Sequence, residues 1–262
     1  MQSNFLTYQN HQIHYRVWGN GPHLLIAIPG YADRALSFAF LEKIMGMDHM
    51  IIAIDLPGHD ETDWRRPNFA PKDFKGIIEA LLSTTGFDRF KLMGHSFGGR
   101  VVLKLLPYFP KQIDFVYLLA PDGLKSWDLK YSSLLPHFVR RIVAGFIRHP
   151  GAVLALANGL FRLTLLAPSS HRFLQHHLKT VAQRERLLLF WNSLPAFQIE
   201  VKKLQDDLRK RSLSMAIIFG KEDRIIPPEL GEKFCSGITS LSFHLIEGTH
   251  FILGERLVVS QH

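Results

Sequence analysis

The chain has almost no cysteine. Its single thiol, Cys235, cannot close an internal disulfide, and the absence of a second one excludes Cys-rich zinc motifs and paired redox cysteines. Long apolar runs are also missing. The best, Ala152 to Ala167, is short for a membrane span and is interrupted by Asn158 and Arg162. Met1 to Asn10 has neither a basic nor an apolar leader region, so a cytoplasmic location is the expectation. Low-complexity tracts and internal repeats are absent, which argues against disorder, collagen and solenoids. Acidic residues are the scarcer charge, 23 against 31 Lys and Arg, giving a net charge of +8 and a pI near 9.6. That balance suits nucleic acid, an anionic membrane or an acidic carrier. Read along the chain, however, the basic residues are spread, with no zinc-finger spacing, RNA-binding signature or dense Lys/Arg block. No nucleic-acid partner is expected.

What is present is a rhythm of short apolar runs and helical segments. Two β-rich runs flank Gln9-Asn10-His11 and read as a hairpin. His23 to Ile28, His49 to Ile54, Arg89 to Met93, Ile113 to Leu119, Ser214 to Phe219 and Ser240 to Ile246 read as strands buried on both faces. Helices are expected over Ser37 to Met45, Pro71 to Thr85, Phe97 to Tyr108, Pro227 to Ser236 and Phe251 to Val259. Alternation of this kind predicts an α/β fold with a mostly parallel, doubly wound sheet. The rhythm breaks between Asp122 and Ile199, a segment rich in Leu, Phe, Arg and His with breaks at Pro136, Pro150-Gly151, Pro168 and Pro195. It reads as a helical insertion, 122–199, in a core made of 1–121 and 200–262.

Gly94-His95-Ser96-Phe97-Gly98 stands between an apolar strand and a helix, the context that a G-x-S-x-G elbow requires. A serine at such a turn sits in a strained backbone, and strand and helix approach so closely that glycine is needed two residues before and after it. The turn places the Phe97 amide at a helix N-terminus, where it can stabilise a developing oxyanion. The plainer reading is a glycine-rich turn with Ser96 as a helix cap. A serine hydroxyl needs a base, and there are fourteen histidines to choose from. Gly248-Thr249-His250 directly follows the last strand, so His250 is the first choice. For the orienting acid, Gly220-Lys221-Glu222-Asp223 follows the preceding strand and favours Asp223, with Glu222 and Asp122 as alternatives. Pro29-Gly30-Tyr31, after the first central strand, offers the Tyr31 backbone N–H as second oxyanion donor, although Pro-Gly also fits a simple turn.

Taken in order, Pro29-Gly30-Tyr31, Asp55-Leu56-Pro57-Gly58-His59, Gly94-His95-Ser96-Phe97-Gly98-Gly99, Gly220-Lys221-Glu222-Asp223 and Gly248-Thr249-His250 resemble the α/β-hydrolase superfamily over nearly the whole chain. The resemblance implies an α/β-hydrolase fold, a triad of Ser96, Asp223 and His250, an oxyanion loop at Tyr31, and a helical cap over 122–199 that shapes an acyl pocket. Two positions depart from the pattern: Pro29, where many relatives carry histidine, and Asp60, where many carry a second glycine.

The expected activity is hydrolysis of a carboxylic ester through an acyl-enzyme on Ser96, with no metal or organic cofactor required. Thioester and carbon–carbon bond hydrolysis use the same triad, and a binding protein on a retained hydrolase scaffold is the non-enzymatic alternative. The expected partner is a small ester or acyl substrate, with an anionic carrier or membrane surface suggested by the basic insertion. His171, His176 and His177 lack the i, i+4 spacing and neighbouring ligands of a metal site. Asp55 and His59 are expected to organise a loop, His95 to pack or line the entrance, and Cys235 to sit in a helix.

Overall fold

The structure is a computed structural model that describes residues 2–124 and 137–254, excluding the side chains of residues 137 and 169. The chain forms two compact units, one of Met1–Arg65, Ala70–Asp128 and Phe197–His262, the other of Arg66–Phe69 and Leu129–Ala196. Strands in chain order are β1 (Gln2–Tyr8), β2 (His11–Trp18), β3 (His23–Ile28), β4 (His49–Ile54), β5 (Phe90–His95), β6 (Ile113–Leu119), β7 (Ser214–Gly220) and β8 (Leu241–Ile246). Helices among the described residues are α1 (Leu41–Met45), α2 (Pro71–Thr85), α3 (Phe97–Leu105), α4 (His137–Arg148), α5 (Gly151–Arg162), α6 (Pro168–Leu178), α7 (Val181–Ser193), α8 (Val201–Arg209) and α9 (Glu229–Cys235).

In the first unit, the apolar runs of β3, β5, β6 and β7 are buried almost throughout, as strands covered on both faces must be. The eight strands lie in the order β1-β2-β4-β3-β5-β6-β7-β8. β1, β2 and β4 pair antiparallel, and the remaining ladders are parallel. From β3 the chain crosses to β4 on one side and then to β5 on the other. Winding therefore reverses between β3 and β5, where open α/β sheets form their ligand crevice. Ile28 pairs with Gly94, so the loops leaving these two strands start at the same level.

A buried polar network holds the loops on the β3 side. Asp55, fully buried after β4, accepts the Ala35 amide at 2.6 Å on Oδ1 and faces His14 Nδ1 at 2.5 Å through Oδ2. His14 Nε2 meets the Ser3 hydroxyl at 2.7 Å. The Thr62 hydroxyl donates to the Asp55 carbonyl at 3.2 Å and accepts the His14 amide at 3.0 Å. Burial raises the Asp55 carboxyl pKa above its ordinary value, against the opposing pull of the Ala35 amide and His14. Nearby, His59 Nδ1 donates to the Pro57 carbonyl at 3.0 Å, which leaves Nε2 to accept the Ala32 amide at 3.0 Å. Asp55 and His59 thus organise the loop after β3.

The second unit is helical. α4 packs on α7, α5 on α6, and α6 on α7. The Arg140 guanidinium donates to the Trp191 carbonyl at 3.1 Å and lies over the Trp191 ring. The Ser193 hydroxyl accepts the Phe69 amide at 2.8 Å and donates to the Leu189 carbonyl, which explains why Arg66–Phe69 belong with this unit.

Some expected boundaries move. In place of one helix from Ser37 to Met45, a 3-10 turn over Ala35–Phe38 precedes the five-residue α1. The Asp33 carboxylate takes the Arg34 amide and the Ser37 hydroxyl, while Asp55 takes the Ala35 amide, so side chains tighten the first turn. α3 ends at Leu105, before Pro107. α8 has no counterpart in the sequence reading, although Val201, Leu204 and Leu208 recur at helical spacing. Residues 251–254 are irregular, and the rest of the helix expected over Phe251 to Val259 lies outside the described residues, as do the break at Pro136 and residues 125–135 of the insertion.

Replacing Asp55 with alanine strands the Ala35 amide and His14 in a dry environment. Asp55→Ala is expected to lower stability by about 3 kcal/mol in urea unfolding; a loss under about 1 kcal/mol would mean that the network is dispensable.

Candidate active site

β5 ends at His95 and α3 begins at Phe97, leaving a single residue to turn the chain. That residue, Ser96, adopts φ 51° and ψ −118°, outside the ordinary wells of a non-glycine residue. Such a conformation costs about 1–3 kcal/mol and persists only where the surroundings impose it. Here they do. A Cβ on Gly98 would lie 2.0 Å from the Ile28 carbonyl oxygen, and one on Gly94 would lie 2.5 Å from that of Gly98. The Ser96 amide donates to the Leu119 carbonyl at 2.9 Å, and its carbonyl accepts the Gly99 and Asp122 amides at 2.9 Å each. The turn is fixed on both sides and leaves the hydroxyl at the N-terminus of α3.

Ser96 Oγ stands 3.0 Å from His250 Nε2, and His250 Nδ1 stands 2.8 Å from Asp223 Oδ2. Asp223 follows β7 and His250 follows β8, while Ser96 follows β5, so three parallel strands of one sheet deliver the three side chains at their C-terminal ends. The other Asp223 oxygen accepts the Ile225 and Ile226 amides, each at 2.9 Å. Both carboxylate oxygens are therefore engaged, which fixes the orientation presented to the imidazole. Burial lowers the His250 pKa below its ordinary value; hydrogen bonding to Asp223 opposes the shift, and neighbouring His95 adds to it. A neutral imidazole with its proton directed at Asp223 leaves Nε2 as an acceptor for the serine proton.

The alternative acids are placed elsewhere. Glu222 is exposed beside buried Asp223. Asp122 is gripped in a fork by Arg100, with Nε and Nη2 at 2.8 and 2.7 Å. The loop carrying Tyr31 lies against the elbow: a Cβ on Gly30 would meet the Ser96 Cβ at 3.1 Å. The Tyr31 ring contacts His59 edge-on, and His59 holds the next amide, so this loop has a fixed backbone. The Phe97 ring is buried against Phe197, anchoring the first residue of α3.

His95 does more than pack. Its ring is buried, and Nε2 donates to the His250 backbone carbonyl at 3.0 Å. Nδ1 faces Asp33 Oδ2 at 3.7 Å. The residue before Ser96 thereby ties the elbow to the loop that carries the imidazole. No periodicity or spacing links positions 95 and 250, so the sequence offers no signal for this contact.

A second chain of the same connectivity exists in the network around β1: Ser3 Oγ, His14 Nε2 and Nδ1, then Asp55 Oδ2. Ser3, however, lies in the edge strand β1 rather than at a helix N-terminus. His14, Asp55 and Asp60 can place three ligand atoms within 4.8 Å of one another, the one such group among the described residues. Both Asp55 oxygens are already engaged, so a cation there would have to displace hydrogen bonds. His171 stacks on Phe161 and holds Asn158, while burial, assisted by His176 and Arg186, pushes the His177 pKa down to about 4. Burial pushes the Cys235 thiol up to about 12, which keeps it protonated.

Over 120 residues the chain is 28% identical to an uncharacterized protein of Mycobacterium tuberculosis, a match covering 46% of this chain and 35% of that one. The chain thus spans about a third of the length of that curated relative. It is 21% identical over 244 residues to a 2-hydroxy-6-oxononadienedioate/2-hydroxy-6-oxononatrienedioate hydrolase of Paraburkholderia phymatum, covering 89% of this chain and 82% of the relative. Among solved structures, a thermophilic esterase from Thermogutta terrifontis superposes with a TM-score of 0.69 at 17% identity, covering 96% and 92% of the two chains. The family model for the alpha/beta hydrolase fold matches residues 24–257, which takes in the sheet from β3 to β8 and every residue of the Ser96–His250–Asp223 chain. The protein belongs to the alpha/beta hydrolase fold family.

Proposed function

We propose that the chain is a serine hydrolase that cleaves a carboxylic ester through an acyl-enzyme on Ser96. The observation that carries this reading is the strained serine at the start of α3, 3.0 Å from an imidazole that is itself 2.8 Å from a fully engaged carboxylate. In the proposed reaction, His250 Nε2 takes the Ser96 proton as Oγ attacks the ester carbonyl. The backbone N–H groups of Phe97 and Tyr31 stabilise the negative oxygen of the tetrahedral intermediate. Its collapse breaks the bond to the alcohol, which leaves with the proton returned by His250. Water, activated by the same imidazole, then releases the acid and restores Ser96. Asp223 holds the imidazole in the required tautomer and stabilises its charged form.

A second reading rests on the Paraburkholderia relative. Its name describes a keto-diacid without an ester, so hydrolysis there has to break a carbon–carbon bond beside a ketone. The same nucleophile, base and oxyanion donors serve that chemistry, and thioesters share it too, so screening should include diketones and thioesters beside esters.

A fluorophosphonate probe is expected to label Ser96, identified by peptide mass spectrometry, and Ser96→Ala should abolish both labelling and turnover of p-nitrophenyl esters. Folded wild-type protein that resists the probe would favour a binding protein on a hydrolase scaffold. The base must be neutral to act, so kcat/KM rises with pH through the His250 pKa. Because burial lowers that pKa, the midpoint should lie below the ordinary imidazole value of 6.5; a midpoint above neutrality would contradict the assignment. His95→Ala removes the donor to the His250 carbonyl and should lower kcat by about tenfold to a hundredfold with little change in KM. His95→Gln, which keeps a donor, should recover most of the loss.

A further inference from the structure

The positive charge is not spread through the molecule. Counted over Arg66–Phe69 and Leu129–Ala196, the second unit carries ten Lys and Arg against one acidic residue, Glu185, and no Asp or Glu occurs from Leu129 to Arg184. The first unit holds the other 21 basic residues against 22 acidic ones. The excess charge of the chain therefore belongs to the helical unit alone.

The same unit exposes much apolar surface. α4 has two apolar faces. Ala144 and Ile147 are buried inward, while Phe138, Ile142 and Phe146, four residues apart, are 65%, 52% and 52% exposed on the opposite side. Where α4 packs on α7, Arg140, Arg141 and Arg148 join Ala144 and Asn192 in lining a recess of about 460 Å³. Leu156, Leu163 and Leu165 are also largely exposed in this unit. Contiguous exposed apolar residues rimmed by one sign of charge mark a recognition surface rather than ordinary solvent-facing helix.

We propose that the second unit docks on the surface of an anionic phospholipid bilayer through α4, with lipid phosphates at the arginine-lined recess and Phe138, Ile142 and Phe146 in the acyl boundary. Charge selects this occupant. A second copy of the same face would set Arg140, Arg141 and Arg148 against their own counterparts, which opposes a self-complementary interface. A free phosphate would satisfy the arginines yet leave the phenylalanine and isoleucine side chains in water. A bilayer with anionic headgroups satisfies both at once. α4, with twelve residues, is about 18 Å long, so it lies along the interface; no helix among the described residues is long and apolar enough to cross a membrane.

Flotation with vesicles tests the proposal on the intact chain. The wild type should float with mixed phosphatidylcholine–phosphatidylglycerol vesicles, remain behind with phosphatidylcholine alone, and release as salt increases. Arg141→Gln with Arg148→Gln should weaken partitioning about thirtyfold, with Arg140 left in place because it holds Trp191. Phe146→Ser should weaken it about tenfold. Unchanged thermal unfolding temperatures would confirm that these surface variants fold. Failure to float with the anionic vesicles would overturn the proposal. So would flotation that is insensitive to Phe146→Ser, because adsorption would then need charge alone. A wild-type dimer in sedimentation equilibrium that becomes monomeric on Phe146→Ser would assign the face to a second copy and overturn it too.

Discussion

The close approach of α3 to the end of β3 is the constraint on which the site depends. With the Gly98 backbone pressed on the Ile28 carbonyl, the chain leaving β5 has one residue in which to reverse, and that residue takes the strain. Hydrogen bonds to Leu119, Gly99 and Asp122 hold it in place. The reversal between β3 and β5 in the winding of the sheet puts a second loop beside the first, at matched register. Sheet topology thus delivers the strained turn, a helix N-terminus and a neighbouring backbone to one place before any side chain is chosen.

Hydrogen-bond connectivity alone would not single out this place. Ser3, His14 and Asp55 repeat the order serine, imidazole, carboxylate, with comparable distances. What differs is the setting of the serine. Ser3 belongs to a regular edge strand, where backbone amides serve the ladder to β2. Ser96 stands where a helix begins, with amides available for a developing negative charge. The first arrangement ties loops together. The second is the setting on which the proposed function rests.

Much of this was legible in the sequence because it is local. The glycines around Ser96, the apolar runs of the central strands and the position of Asp223 and His250 just after strands all leave signatures a few residues long. The Pro150-Gly151 and Pro168 breaks likewise coincide with the starts of α5 and α6. The features that escaped depend on distant segments. His95 reaching the His250 carbonyl spans 155 positions. The 3-10 turn over Ala35–Phe38, which replaces the start of the helix expected from Ser37, is held in part by Asp55, twenty residues on from Ala35. The charge pattern escaped for a different reason: lysines and arginines look dispersed along the chain until Arg66–Phe69 and Leu129–Ala196 are counted as one body.

That division of charge also bears on solubility. A single isoelectric point near 9.6 describes neither unit, since one is close to electroneutral and the other strongly cationic. Charge repulsion between copies of the chain therefore resides mostly in the helices α4 to α7 of the second unit. Trimming or grafting those helices would change colloidal behaviour as much as it changes chemistry, leaving a sheet-bearing unit with almost no net charge to keep it dispersed.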